Sequence, residues 1–74
     1  MKYNWHFSID RLISLRTLHG LSQEQFASKI GTKKQAVSQW ERGEITPQTK
    51  TIEKIVNVFE LSVGPAYFFV DNND

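Results

Sequence analysis

Four polar residues near the middle of the chain have a spacing that would bring their side chains together. They are Gln35, Ser38, Gln39 and Arg42. At about 100° per residue, a helix through this segment puts all four on one face and Val37 and Trp40 on the other. The polar face carries amides, a hydroxyl and a guanidinium, but no acid, whereas a face that is merely solvated more often mixes Glu with Lys. Because amides pair with adenine edges and arginine with guanine or phosphate, this face indicates a site for DNA.

Helical periodicity and capping residues locate the elements that must position this face. Apolar residues recur at helical spacing in short blocks, and no segment shows the period-two alternation of a strand. Ser8 precedes the first block and can cap a first helix. Ser22 and Gln25 form the pattern of a capping box at the start of a second helix. Gly31 suits the left-handed turn that ends this second helix.

The third helix is predicted to run from about residue 34 to residue 42, and it contains the polar face. Its N-cap is either Thr32 or Lys33. A fourth helix is expected after Pro47, and Ser62 is expected to cap a short fifth helix. The sequence thus predicts an all-α bundle of five short helices.

The length of the chain limits it to one small domain. We expect residues 1–74 to form a single unit, with residues 1–7 as an N-terminal arm and residues 71–74 as a frayed tail. A domain of this size buries only roughly 60% of the surface that its unfolded chain exposes. Stability must therefore come from well-packed helices or from a partner subunit.

The turn between the second and third helices has small and apolar residues where two helices could cross closely. Ala27 is small, Gly31 starts the turn, and Val37 and Trp40 are placed to reach back into the core. A connection of about three residues headed by glycine is typical of a helix-turn-helix. A generic helical hairpin would share one or two of these features, but the whole set is more specific for a helix-turn-helix.

The charge distribution is more informative than the net charge of +1. Residues 1–43 hold seven basic and three acidic residues, a balance of +4, whereas residues 44–74 hold two basic and five acidic residues, a balance of −3. A basic pole is expected where one end of a protein faces phosphates. Because most protein surfaces are charged, this signal is modest by itself.

Several classes of function are disfavoured. The chain has no cysteine, so disulfides, thiolate metal sites and cysteine nucleophiles are excluded. His6 and His19 have no partner at ligand spacing, and no Ser–His–Asp arrangement accompanies a glycine-rich elbow. We therefore expect no enzyme activity, metal, cofactor or small-molecule ligand. The longest apolar run, residues 66–70, is far shorter than the ~20 residues of a membrane span, so a soluble, cytoplasmic protein is expected.

Two segments of the chain resemble a known family. They are Leu21-Ser-Gln-Glu-Gln-Phe-Ala-Ser-Lys-Ile-Gly31 and Gln35-Ala-Val-Ser-Gln-Trp-Glu-Arg-Gly43. Both are similar to the phage Cro and cI repressor family, also called the XRE family, and the similarity extends from about Ile9 to Phe68. The resemblance implies a compact lambda-repressor-like domain of five helices, with the helix-turn-helix at helices 2 and 3, encoded by a bacterium or a phage.

The resemblance also assigns roles by position. Matching positions in the family read base edges at Lys34, Gln35, Ser38 and Gln39. Phosphate-contacting positions are matched by Gln23, Arg42 and Gly43. Lys33 departs from the family pattern, in which Ser or Thr caps helix 3, but a lysine there adds attraction to phosphates. Arg16 and Glu41 match a partly buried ion pair between helices 1 and 3, so their implied role is structural.

The family usually binds double-stranded, pseudo-palindromic operators as two-fold dimers, which implies a homodimer here. The expected dimer surface is the apolar C-terminal cluster of Val63, Tyr67, Phe68, Phe69 and Val70. Alternatively, Tyr67 and Phe68 simply close the core, and Trp5 and Phe7 cover the same region. Repression is expected rather than activation because no surface for recruiting polymerase is evident. The competing hypothesis is an antitoxin-like or adaptor protein that uses this fold to hold a protein partner.

Overall fold

Four α-helices and a two-stranded sheet make up residues 5–71, the part of the chain that the computed structural model describes. The elements in chain order are β1 (Trp5–Phe7), α1 (Ile9–Leu18), α2 (Gln23–Ile30), α3 (Lys34–Glu41), α4 (Thr49–Val58), a 3-10 segment (Gly64–Phe68) and β2 (Phe69–Asp71). The mainly helical prediction is therefore confirmed. The prediction of five α-helices is not, because the fifth element is a 3-10 segment.

The first two helices begin at the capping residues that the sequence predicts. The Ser8 hydroxyl accepts a hydrogen bond from the backbone N–H of Arg11 at 3.2 Å. In the box before α2, the Ser22 hydroxyl accepts from the Gln25 N–H at 3.0 Å, and the Gln25 side chain accepts from the Ser22 N–H at 2.8 Å. These contacts satisfy N–H groups that a helix start leaves without a partner.

The core lies where the four helices and the 3-10 segment meet. Its buried side chains are Leu12, Leu15, Phe26, Ala27, Ile30, Val37, Trp40, Ile52, Ile55 and Phe68. Every α-helix contributes at least two of them. Since α3 contributes Val37 and Trp40, the helix is attached to the core by one side and exposes the other.

The prediction of no strand is wrong at both ends of the described chain. β1 pairs antiparallel with β2, with Phe7 opposite Phe69 and Trp5 opposite Asp71. The Ser8 N–H extends the pairing by donating to the Phe68 carbonyl at 2.6 Å. Strands of three residues are too short to show an alternating pattern, so periodicity could not predict them.

This sheet also corrects the predicted arm and tail. Residues 5–7 of the expected arm are strand β1, and Asp71 of the expected frayed tail belongs to β2. Residues 1–4 and 72–74, which complete the predicted arm and tail, lie outside the described residues.

Two predicted caps differ from the structure. Ser62 does not cap the last helical element, which begins at Gly64 with Val63 at its N-cap position. Lys33 is the N-cap residue of α3, without a side-chain hydrogen bond, so the alternative with Thr32 is wrong. α3 itself ends at Glu41, and Arg42 is its C-cap.

No helix among residues 5–71 is long and apolar enough to cross a membrane.

Candidate nucleic-acid interface

The turn between α2 and α3 is built as the sequence predicts. Gly31 adopts a left-handed conformation, with φ of 73°, and ends α2. The N–H of Thr32 then donates to the Ala27 carbonyl at 2.9 Å, which holds the chain close to the end of the helix. Ala27 and Val37 are both buried on the facing sides of the two helices. The turn therefore fixes the position of α3 relative to α2.

Glycine is favoured at this turn by its backbone conformation. Its positive φ is a conformation that other residues adopt only at a cost. A Cβ atom at Gly31 would also lie 2.9 Å from Nζ of Lys54, but this is the end of a flexible, exposed side chain that can move away at little cost.

The four predicted base-reading residues lie along the side of α3 that is turned away from the core. Lys34 and Gln35 are exposed, and Ser38 and Gln39 are half-buried. Val37 and Trp40 occupy the opposite, buried side. The face carries no acidic side chain. Glu41, the one acid in α3, is bound to Arg16 of α1 instead.

Arg42, which follows α3, is bound to neighbours on the same surface. Its Nε and Nη2 atoms donate to the two carboxylate oxygens of Glu44 at 2.8 and 3.1 Å, and its Nη1 atom donates to the Ser38 hydroxyl. The hydrogen bonds between Arg42 and Glu44 raise the pKa of Arg42 and lower the pKa of Glu44 from their ordinary values. Glu44 was not predicted from the sequence, although the opposite charges on either side of Gly43 are a signal for this ion pair.

Arg16 and Glu41 form a bidentate ion pair that joins α1 to α3. Nε and Nη2 of Arg16 donate to the Glu41 carboxylate at 2.7 and 3.0 Å, and Nη1 donates to the Leu21 carbonyl at 2.9 Å. The side chains are only 16% and 6% exposed. The hydrogen bonds to Glu41 raise the pKa of Arg16 above its ordinary value, against the opposing effect of burial. The pair thus sets the position of α3 against α1.

Gln23 connects α2 to the same pair. Its side-chain nitrogen donates to Oε1 of Glu41 at 2.9 Å, which uses one of the two N–H donors of the amide. The first intrahelical hydrogen bond of α2 runs from the Phe26 N–H to the Ser22 carbonyl. The backbone N–H groups of Gln23 and Glu24 therefore have no carbonyl partner within the helix. The start of α2 therefore has backbone donors without intrahelical partners, and the Gln23–Glu41 contact places it next to α3.

The remaining predicted phosphate contacts lie at the two ends of α3. Lys33 is exposed at its N-cap, and Gly43 follows Arg42 with a positive φ of 77°. Both positions are at the surface.

The predicted dimer cluster is split by the structure. Val63 is 64% exposed, and Tyr67, Phe69 and Val70 are half-buried. Phe68 is fully buried, so its assignment to a dimer surface is wrong. Phe68 stacks on Phe7, with ring centroids 5.5 Å apart, and closes the core beneath the sheet.

No group of histidine and acidic residues among residues 5–71 has the arrangement of a metal site. A surface pocket of about 330 Å³ is lined by His19, Lys29, Val58, Phe59 and Glu60. The His19 ring packs on Phe59 with centroids 4.9 Å apart, so His19 is a packed surface residue.

Residues 12–65 match the sequence profile of the helix-turn-helix family. The chain belongs to that family. The match includes α2, α3 and the turn between them, the elements that give this helix-turn-helix protein its candidate interface. The family identified from the residues as Cro/cI-type, or XRE, is confirmed, and with it the class of transcriptional regulators.

Two curated relatives of this helix-turn-helix protein come from archaea. An uncharacterised HTH-type transcriptional regulator of Methanocaldococcus jannaschii is 30% identical over 63 residues, which cover 85% of this chain and 96% of the relative. An uncharacterised HTH-type transcriptional regulator of Archaeoglobus fulgidus is 28% identical over 61 residues, which cover 82% of this chain and 87% of the relative. No solved structure gives a significant match.

Proposed function

We propose that this protein binds double-stranded DNA sequence-specifically as a homodimer, reads the major groove with α3, and represses transcription. The observation that carries the proposal is the polar side of α3, which has no acid and is held outward by the burial of Val37 and Trp40 on the other side. A helix presented in this way fits the width of the major groove.

The base-reading residues of the proposal are Lys34, Gln35, Ser38 and Gln39. Recognition helices contact bases mainly with their N-terminal residues, and Lys34 and Gln35 are the exposed first residues of α3. Gln39 lies one turn further, beside Gln35, so the two amides can contact neighbouring base pairs.

The phosphate-binding residues of the proposal are Gln23, Lys33, Arg42 and Gly43. Gln23 combines a second amide N–H with the free backbone N–H groups at the start of α2, and a helix N-terminus favours anions. Lys33 and Arg42 place positive charges at the two ends of α3. Contacts of this kind fix the position of a recognition helix, and base contacts then determine the sequence that it reads.

The dimer surface of the proposal consists of Val63, Tyr67, Phe69 and Val70, without Phe68. Val63 and its half-buried neighbours form an apolar surface around the 3-10 segment and β2. In a two-fold dimer the two recognition helices would reach half-sites about one DNA turn, roughly 34 Å, apart. Repression needs only that the bound dimer occupy the DNA, so it requires no further surface.

Selection of bound duplexes from a random-sequence pool tests the proposal. A palindromic or nearly palindromic site whose half-sites are about one turn apart is the expected result. Its affinity should fall steeply as salt is raised, because bound phosphates release counterions. An antitoxin-like or adaptor protein that only holds a protein partner would enrich no sequence, and that result would overturn the proposal.

On the selected duplex, Gln39→Ala is expected to weaken binding by about 1–3 kcal/mol and to relax the preference at one base position, because a bidentate amide contact is lost. Titration against the selected duplex and its single-base variants measures both effects. Gln48→Ala is the control, since Gln48 is an exposed glutamine that makes no capping hydrogen bond. If both variants bound like the parent, α3 would not read bases through Gln39.

Val63→Lys is expected to weaken the homodimer at least tenfold, about 1.4 kcal/mol, because a charge would be placed in the proposed interface. Sedimentation at several protein concentrations measures the monomer–dimer equilibrium. Val58→Lys is the control on α4, where the native side chain is also exposed. An unchanged dimer in Val63→Lys would mean that the interface lies elsewhere. A parent that is monomeric at all concentrations would contradict the proposed homodimer.

A further inference from the structure

The hydrogen bonds of Arg42 show that this residue is already occupied in the free protein. Three of its five N–H donors are used, two by Glu44 and one by Ser38. The two bonds to Glu44 run from adjacent nitrogens to the two oxygens of one carboxylate. Arginine binds a phosphate through the same bidentate geometry.

Glu44 therefore occupies the edge of Arg42 that a DNA phosphate would use. Both side chains are largely in solvent, at 58% exposed for Arg42 and 50% for Glu44. An exposed ion pair of this kind contributes little to stability, so Arg42 can exchange Glu44 for another anion at a small cost in free energy. Glu44 also adds a negative charge at the end of a surface whose other charges, on Lys33, Lys34 and Arg42, are positive.

We propose that Glu44 acts as an intramolecular stand-in for a DNA phosphate on Arg42 and lowers the affinity of the protein for duplex DNA regardless of base sequence. The inference rests on the proposed function, in which Arg42 faces the DNA backbone. Binding then requires Arg42 to exchange the Glu44 carboxylate for a phosphate. After the exchange, the freed carboxylate lies within a Debye length, about 10 Å, of that phosphate and repels it.

The competition operates at neutral pH. Because Arg42 holds the pKa of Glu44 below its ordinary value, the carboxylate is ionised throughout the physiological range. Glu44 therefore does not act as a pH switch. It weakens the contact between Arg42 and the DNA phosphate backbone to the same extent throughout this pH range. Such a penalty weakens binding to any duplex while leaving the discrimination between duplexes unchanged.

Glu44→Gln tests the inference in titrations with the duplex selected from the random pool and with a scrambled version of it. We expect the variant to bind both duplexes about three- to tenfold more tightly at about 50 mM salt, with the same ratio between them. The slope of log affinity against log salt should become steeper, by up to about 0.9, because the freed carboxylate no longer offsets the charge that Arg42 brings to one phosphate. Glu53→Gln on α4 makes the same change of net charge at another exposed position and should have a smaller effect.

Two results would overturn the inference. An unchanged or weaker affinity of Glu44→Gln for both duplexes would mean that Glu44 does not compete. A loss of discrimination between the duplexes would mean that Glu44 instead positions Arg42 to read a base. If the parent and all variants failed to bind any duplex, the proposed function itself would be wrong. If the parent bound DNA and Glu44→Gln bound it with the same affinity, only the inference about Glu44 would be wrong.

A measurement without DNA checks the ion pair on which the inference depends. The Nε–Hε resonance of Arg42 in the NMR spectrum should shift, and exchange faster with water, in Glu44→Gln, but not in Glu53→Gln. An Arg42 resonance that is the same in all three proteins would show that Glu44 does not hold Arg42 in solution, and the inference would fail.

Discussion

Replacing Arg16 by methionine is expected to lower the free energy of unfolding by about 3–5 kcal/mol. The Glu41 carboxylate, 6% exposed, would lose its charged partner and retain only the Gln23 amide as a side-chain donor. An uncompensated charge at this depth is costly because the protein interior solvates it poorly. Urea denaturation followed by circular dichroism measures the change, since the slope of the transition and its midpoint together give the free energy.

Arg11→Met is the matched control on the same helix. Arg11 is an exposed arginine with one hydrogen bond of 3.2 Å, to the Tyr67 carbonyl, and its ring contact with Tyr67 is 6.0 Å long. Its replacement should therefore cost about 1 kcal/mol or less. A double variant, Arg16→Met with Glu41→Gln, should recover part of the lost stability because no buried charge remains. Equal effects of Arg16→Met and Arg11→Met would contradict a structural role for the Arg16–Glu41 pair.

Phe68→Ala is expected to lower the free energy of unfolding by about 3–5 kcal/mol, because the ring is fully buried and its removal leaves a cavity. A domain of this size has a total stability of only about 5–10 kcal/mol, so a substantial part of it would be lost. The loss should be the same at low and high protein concentration, since the Phe68 ring is fully buried in the core of its own chain. Thermal and urea melts at several concentrations measure it.

Phe69→Ala provides the comparison next to Phe68. Phe69 is half-buried and packs edge-on against Phe7 at 5.9 Å, so its truncation should cost clearly less than that of Phe68. If the loss in Phe68→Ala depended on protein concentration, Phe68 would contribute to the dimer surface as well as to the core.

Local signals predicted the parts of the fold that local interactions determine. Ser8 and Ser22 bind N–H groups three residues away, so the sequence shows both partners of each contact together. Gly31 and the buried Ala27 and Val37 could be predicted for a similar reason, because a turn of three residues leaves few geometries. The polar side of α3 followed from helical spacing alone.

The features that were missed depend on contacts that spacing does not reveal. Strands β1 and β2 are too short for a pattern, and their partners lie at opposite ends of the chain. Phe68 and Phe69 are chemically identical neighbours, and only the packing of Phe7 and the helices decides which ring is buried. Glu44 was missed because helical spacing does not apply beyond the end of α3, where the chain turns at Gly43 and brings the carboxylate to Arg42.

The pairing of β1 with β2 has a mechanical consequence. Trp5 and Asp71 lie opposite each other, so the chain enters and leaves this domain at one point. The sheet therefore closes a loop that contains all four helices, and the entropy lost in closing so long a loop makes the sheet the last element expected to form. Tension applied through the two ends would separate the strands one residue pair at a time, in the manner of a zipper, before the load reached α2 and α3.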